Sequence, residues 1–246
     1  MEYWRRGMGR DDAAAMLTVV TWLWGDKFTR GDVAKLHAAV QRNLRYEHRF
    51  LCVTDRPTDD MPCLTAEIPD PGLTKIKGCF ARLRMFDPEW QTANYIDDRV
   101  VCIDLDTVIT GPLEGLFSRT EPFVIMQGGN ASNPCPYNGA LQMLQCGAHP
   151  EVWGDFSLKA ARATPFFEFP DDQGWLAAKV PGAAGWKCGA ESGVYVFHKP
   201  GWPGWDDRKN STFNDDLPNG ARLVTFSGWR SPKRFEHLDW VARNWK

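Results

Sequence analysis

Net charge, long apolar runs and closely spaced cysteines are all scarce in this chain of 246 residues. Lysine and arginine number 29 and aspartate and glutamate 31, which leaves a formal charge of −2. A general nucleic-acid binder would carry a basic surplus, so that class is excluded as the main reading. No apolar run approaches the roughly 20 residues of a membrane-spanning helix. The opening Met1 to Arg10 is polar and basic with no long apolar stretch behind it, so no secretory signal is expected. The cysteines (Cys52, Cys63, Cys79, Cys102, Cys135, Cys146 and Cys188) are seven, an odd number, and contain no C-x-x-C pair. Cys52 and Cys102 lie inside apolar runs, where a free thiol behaves as a small hydrophobe. The expectation is a reducing, cytoplasmic setting without structural zinc. Internal repeats and low-complexity linkers are also missing.

Tryptophan, by contrast, is abundant, with 12 residues. Several sit among glycine and proline, as in Gly201-Trp202-Pro203-Gly204-Trp205. Packing of loops onto the core is the plain reading, and flat platforms for sugar rings or a nucleobase the functional one. The length allows a sizeable core, and one compact domain over 1–246 is expected rather than two.

Leu17 to Trp24 reads as a first buried strand. Thr29 followed by Asp32 resembles a capping box, and Val33, Leu36, Val40 and Leu44 then recur at helical spacing. Arg49 to Thr54 reads as a second strand, so the unit is β-α-β with parallel neighbours. A helix is predicted over about 77–87. Short strands are predicted at Phe123–Met126 and Ala140–Leu144, the latter after a turn at Tyr137-Asn138-Gly139. Helical patterns follow around 150–160 and 171–179. Val194–Phe197 and Arg222–Phe226 read as late strands, and Leu238 to Trp245 as an amphipathic end. The first half is regular α/β. The second is looser.

Between these lies the most informative stretch, Arg99 to Val108, where the apolar run Val100-Val101-Cys102-Ile103 gives way to Asp104-Leu105-Asp106. In extended chain, residues i and i+2 share a side, so both carboxylates face one spot while Leu105 points back into the protein. Two ionised carboxylates on one spot repel unless a cation lies between them. Mg²⁺ and Mn²⁺ take oxygen ligands and bridge to substrate phosphates, which reads as a metal–diphosphate site at the end of a central strand. In open parallel sheets such ligands bind beyond the carboxyl ends of the strands.

Several motifs then fall in order. They are Asp26-Lys27-Phe28-Thr29-Arg30-Gly31, Phe80-Ala81-Arg82-Leu83, Asp104-Leu105-Asp106, Tyr137-Asn138-Gly139-Ala140, Asp172-Gln173, and Thr225-Phe226-Ser227-Gly228 with Pro232 and Lys233. Over roughly 17–235 the chain resembles GT-A-fold glycosyltransferases, most closely the family 8 type that includes glycogenin-like and lipopolysaccharide galactosyltransferase-like enzymes. The resemblance implies an α/β fold: a single GT-A-type domain with a mostly parallel central sheet. Its Rossmann-like, nucleotide-binding N-terminal half would cover about 17–110, and a sugar and acceptor half about 111–246.

The implied activity is transfer of a hexose from a nucleotide-sugar, a UDP-sugar, with retention of configuration. The acceptor would be a glycan, a lipid-linked glycan or a protein. The implied cofactor is Mn²⁺ or Mg²⁺ on Asp104 and Asp106. The family's third ligand is a histidine in the late segment. Here Ser227 or Thr225 takes that place, according to the alignment, with His198 or water as the remaining candidates. Leu23, Trp24 and Phe28 would border the nucleotide, and Asp55 would accept from the uracil N–H unless it only forms a turn. Leu105, Asn138, Gly139 and Gly228 would line the donor site, and Lys233, near Arg230 and Arg234, would form a clamp that closes over the diphosphate on donor binding, with a solvated basic surface as the other reading. Arg82 would face the donor, and Asp172 and Gln173 would bond sugar hydroxyls, with Asp171 as the helix cap. Gln173 and the donor's own phosphate are the two candidates for the group that assists the departing sugar.

Two rival readings remain. Asp104-Leu105-Asp106-Thr107-Val108 also fits the aspartate-nucleophile (HAD-like) phosphatase signature, with Lys159 and the Asp171-Asp172 pair as its later motifs. The tryptophans alone would suit a non-catalytic carbohydrate-binding protein. The end bearing Trp240, Arg243, Trp245 and Lys246 is read as packed, with peripheral membrane contact as its other role.

Overall fold

The computed structural model describes residues 16–129, 133–166 and 171–246, so the reading of Met1 to Arg10 lies outside it. The strand β1 (Leu17–Leu23) is buried at every position. It pairs in parallel with β2 (His48–Thr54) from Leu17↔His48 to Leu23↔Thr54, as the β-α-β reading requires. The connecting helix Arg30–Asn43 starts as the capping box predicts. The Asp32 carboxylate accepts from the Thr29 backbone N–H at 2.7 Å and from its hydroxyl at 2.8 Å. Lys233 adds a third bond to the same carboxylate at 2.9 Å. Asp32→Ala removes all three, and a melting curve should register a loss of about 1–2 kcal/mol.

Three further strands follow: β3 (Leu64–Glu67), β4 (Arg99–Ile103) and β5 (Thr107–Ile109). Then come β6 (Phe123–Gln127), β7 (Tyr137–Gln145), β8 (Ala184–Lys187), β9 (Val194–Val196) and β10 (Leu223–Thr225). The main sheet has seven strands in the order β3-β2-β1-β4-β7-β6-β8, and a second sheet has three, β5-β10-β9. Only β7 runs against the rest of the main sheet.

Strands covered on both faces read as continuous apolar runs, and β1 and β4 show why. Val19, Leu23, Val101 and Ile103 pack to one side, with the Arg30–Asn43 helix and the second sheet. Val20, Trp22, Val100 and Cys102 pack to the other, with the segment 80–90 and the helix Asp172–Lys179. The carboxyl ends of β1 and β4 and the start of the antiparallel β7 therefore meet at one edge, where Ile103 pairs with Leu141.

Several local expectations are corrected. The helix over 77–87 is a 3-10 helix, Phe80–Phe86, preceded by Cys79 in the left-handed region at φ 56°. Pro88 starts a separate helix, Pro88–Ala93, capped by Asp87. The pattern at 150–160 splits into Glu151–Gly154 and Leu158–Arg162, the second capped by Ser157. Tyr137-Asn138-Gly139 is not a turn but the opening of β7, because pairing of Tyr137 and Asn138 with β6 overrides its turn chemistry. The short strands β3, β5 and β8 were not anticipated. Most tryptophans serve packing. Trp240 and Trp245 are buried, which settles the chain end as packed, whereas Trp229 is exposed. No described helix is long and apolar enough to cross a membrane.

Candidate active site

The two aspartates after β4 are held by different sheets. The Asp104 backbone N–H donates to the Ala140 carbonyl at 3.0 Å and so extends the main sheet. The Asp106 carbonyl accepts from the Phe226 N–H at 2.8 Å and joins the second sheet. Leu105, between them, opens a turn instead of continuing the strand; it is buried, yet it borders the same recess as the two carboxylates. Both carboxylates line a cleft of about 710 Å³.

Arg82 organises the cleft floor. The 3-10 helix carries it into the interior, where it is only 5% exposed. Its Nε and Nη2 donate to Asp172 Oδ2 at 2.7 and 2.6 Å. Its Nη1 donates to the Gly139 carbonyl at 3.1 Å and to Asp104 Oδ1. Asp104 and Asp172 hold the guanidinium well above its ordinary pKa, against the desolvation that pulls it down. Burial pushes the Asp172 carboxyl up to about 7, although Arg82 pulls it down. The two-pronged contact favours the ionised carboxylate, since a protonated Asp172 would leave a buried guanidinium half-satisfied.

Asp106 is paired differently. Its Oδ2 accepts from Lys27 Nζ at 2.9 Å, and the Thr225 hydroxyl reaches its Oδ1 at 3.4 Å. Burial, then the neighbouring Asp104, pushes the Asp106 carboxyl up to about 6, although Lys27 pulls it down.

The helix Asp172–Lys179 closes the opposite wall. Asp171 caps it by accepting from Gly174 N–H at 2.8 Å, as expected. The Gln173 amide oxygen accepts from the Gly139 N–H at 3.0 Å, and its nitrogen donates to Asp171 at 2.7 Å. Gly139 is thus gripped from both sides. A Cβ there would lie 2.4 Å from Arg82 Nη2 and 3.3 Å from Asp172 Oδ2. Gly139→Ala should displace the guanidinium and cost about 1–3 kcal/mol. A melting curve and a turnover assay on one preparation check this, and an unchanged variant would contradict the packing.

Beside the cleft is a recess of about 190 Å³ walled by Trp22, Trp24, Phe28 and Leu105. Lys27, Arg82, Asp104 and Asp106 border both spaces.

The predicted residues divide as follows. Asp104, Asp106, Arg82, Asn138, Gly139, Asp172, Gln173, Ser227 and Gly228 all line the cleft, and Trp24, Phe28 and Leu105 line the recess. Asp172 is 1% exposed and its carboxylate is turned to Arg82, so it positions that arginine rather than standing free for sugar hydroxyls. Leu23 is fully buried in the core and its side chain cannot touch a nucleotide. Asp55 lies in a separate shallow pocket with Asp26 and Arg56, which adjoins the recess only through Phe28. Lys233 is not on the cleft wall, because it bridges to Asp32 at the helix start. His198 is held by Asp215 at 2.8 Å and the Asn214 carbonyl at 3.1 Å, away from the carboxylate pair. Sequence reasoning assigned no role to Lys27. It meets Asp106 across 79 positions, a separation that no local pattern encodes.

The donor set suits a hard divalent ion that shares its shell with substrate. Two carboxylates and the Ser227 and Thr225 hydroxyls line one cleft. Among the described residues, no group of three or more His, Cys, Asp or Glu could hold a metal by itself. Oxygen ligands of this kind fit Mg²⁺ or Mn²⁺ completed by phosphate oxygens and water.

No family model matches the chain, and no curated protein matches it by sequence. Solved structures do match. The glycosyltransferase GlyE of Streptococcus pneumoniae TIGR4 aligns with a TM-score of 0.60 at 14% identity, over 92% of this chain and 62% of GlyE. The chain therefore spans less than two thirds of that protein. An active-site mutant of LgtC aligns at 0.56 and 12% identity, over 93% of each chain. The galactosyltransferase LgtC, in complex with donor and acceptor sugar analogues, aligns at 0.54 and 11%, over 94% of this chain and 97% of LgtC. What these identities establish is shared architecture: the chain has the α/β, GT-A-type fold of the glycosyltransferases GlyE and LgtC.

Proposed function

We propose that this chain is a metal-dependent, retaining hexosyltransferase that moves a sugar from a UDP-sugar to an acceptor hydroxyl. One juxtaposition carries the reading. The Asp104–Asp106 pair lies between an aromatic-walled recess sized for a base and a polar wall, made by Gly139 and Gln173, suited to a sugar. A nucleotide-sugar has the same order of parts: flat base, diphosphate, polar ring.

Trp24 and Phe28 flank the base. Asp104 and Asp106, with Ser227, Thr225 or water, hold Mn²⁺ or Mg²⁺, which when bound supplies Lewis-acid stabilisation to the diphosphate leaving group. Arg82 keeps Asp104 aimed, and Asp172 keeps Arg82 aimed. Asn138, Gly139 and Gly228 give the sugar a close, polar wall. Either Gln173 or the donor's own phosphate assists the departing sugar. The acceptor is a glycan, a lipid-linked glycan or a protein. The seven free cysteines agree with a reducing, cytoplasmic setting.

Against a phosphatase stands Lys159. It lies on the Leu158–Arg162 helix and does not reach the cleft, where Lys27 faces Asp106 instead. A thermal-shift screen of nucleotide-sugars with and without Mn²⁺ tests the proposal. At about a hundredfold excess over Kd, a UDP-sugar with Mn²⁺ should raise Tm by roughly 5–10 °C. EDTA should reverse the shift. Hydrolysis of a generic aryl phosphate, or stabilisation by glycans alone, would replace this reading with one of its rivals.

A further inference from the structure

We propose that Lys27 is an exchangeable counter-ion: it neutralises Asp106 when no divalent ion is bound, yields that carboxylate to an incoming ion, and then grips the donor's diphosphate. The inference rests on the reading of the cleft as a nucleotide-sugar site.

Two of the three cations lining the cleft, Arg82 and Lys27, are held in opposite ways; Lys77 is the third. Arg82 is buried, has three separate partners and has nowhere to go. Lys27 has one carboxylate partner, Asp106 Oδ2 at 2.9 Å, and otherwise only the face of the Phe28 ring, 4.7 Å from its ammonium. Its side chain is 50% exposed while that of Asp106 is 10% exposed, so the carboxylate stays and the ammonium is free to leave. An ammonium on a flexible four-carbon stem suits such a move better than a rigid guanidinium. Its destination is set by position. Lys27 borders both the recess and the cleft, where the diphosphate of a bound nucleotide-sugar must cross between them.

Electrostatics supplies the trigger. Asp104, Asp106 and Asp172 face two cations, Arg82 and Lys27. A divalent ion entering at Asp104 and Asp106 would meet the ammonium at contact distance, and like charges in a partly buried site repel strongly. The ion and the lysine therefore compete for Asp106. Once displaced, the lysine meets the diphosphate, which brings new negative charge to the same border.

Titration calorimetry with Mn²⁺ alone, then with UDP at saturating Mn²⁺, tests this on the wild type, Lys27→Met and Lys27→Arg. Lys27→Met should bind Mn²⁺ about tenfold more tightly and UDP about tenfold more weakly. Lys27→Arg should bind Mn²⁺ no more tightly than the wild type and retain most UDP affinity. The opposite signs are the signature, since a merely structural lysine would weaken both. Unchanged or weaker Mn²⁺ binding in Lys27→Met overturns the inference, as does unchanged UDP binding. If the wild type binds UDP while Mn²⁺ affinity ignores Lys27, only this inference falls. If the wild type binds no UDP with Mn²⁺ present, the functional reading falls with it.

Discussion

Replacing either carboxylate after β4, as Asp104→Ala or Asp106→Ala, should abolish turnover, and so should EDTA. The expected loss is large because the diphosphate must leave carrying charge, and about 4 kcal/mol of lost stabilisation slows that step about a thousandfold. The loss should come without unfolding, and Asp106→Asn makes the separation sharp. Asp106 is buried, and its carboxyl is raised from 3.8 to about 6. A carboxyl raised on folding is penalised when ionised. The unfolded chain ionises first as pH rises through 3.8, and the penalty is complete above about 6. The neutral isostere escapes it. Asp106→Asn should therefore melt no lower than the wild type at pH 7–8, and any advantage should vanish below pH 4. Release of UDP from the donor, followed beside a melting curve, reads both effects. A variant with wild-type turnover would remove the carboxylate pair from the chemistry.

Arg82→Met should be the most destabilising single change in the cleft. It strands Asp172, whose side chain is 2% exposed, and leaves the Gly139 carbonyl with Gln142 Nε2 as its donor. Breaking a buried pair by removing one partner costs about 3–5 kcal/mol, which for a chain of this size is roughly 6–20 °C in Tm. Activity should fall too, because Asp104 loses its anchor. Arg82→Lys restores charge but not the fork that engages Asp172 with two nitrogens, so it should recover part of the Tm and little turnover. Arg82→Met combined with Asp172→Asn should melt above Arg82→Met alone, since the second change removes the stranded charge. A Tm within 2 °C of the wild type for Arg82→Met would show that the network bears no load.

Much of this was legible in the chain. The run Leu17–Leu23, the capping box at Thr29 and Asp32, and the apolar stretch before Asp104 each fall within one element. Their periodicity and end signals are local, so β1, the Arg30–Asn43 helix, β2 and β4 could be placed. Asp104 and Asp106 do border one cleft, but a turn between β4 and β5 brings them there rather than the extended i, i+2 alternation. Errors came where a partner from elsewhere overrode a local preference. Asn138-Gly139 has turn chemistry, yet pairing of Asn138 with β6 draws it into β7. Asp32 takes Lys233 from 201 positions away, a pairing that no local pattern records. Leu23, read as bordering the nucleotide, turns its side chain into the core.

The sequence by itself determined β1, β2 and β4, their parallel start and the paired acids at a strand end, because hydrophobic period and carboxylate spacing are properties of neighbouring residues. Only the tertiary structure decided which cation meets which carboxylate. Arg82 is bound by acids 22 and 90 positions away, and Lys27 by one 79 positions away. Such pairs form where β1, β4 and β7 bring their ends to one edge, and no short-range pattern records that meeting.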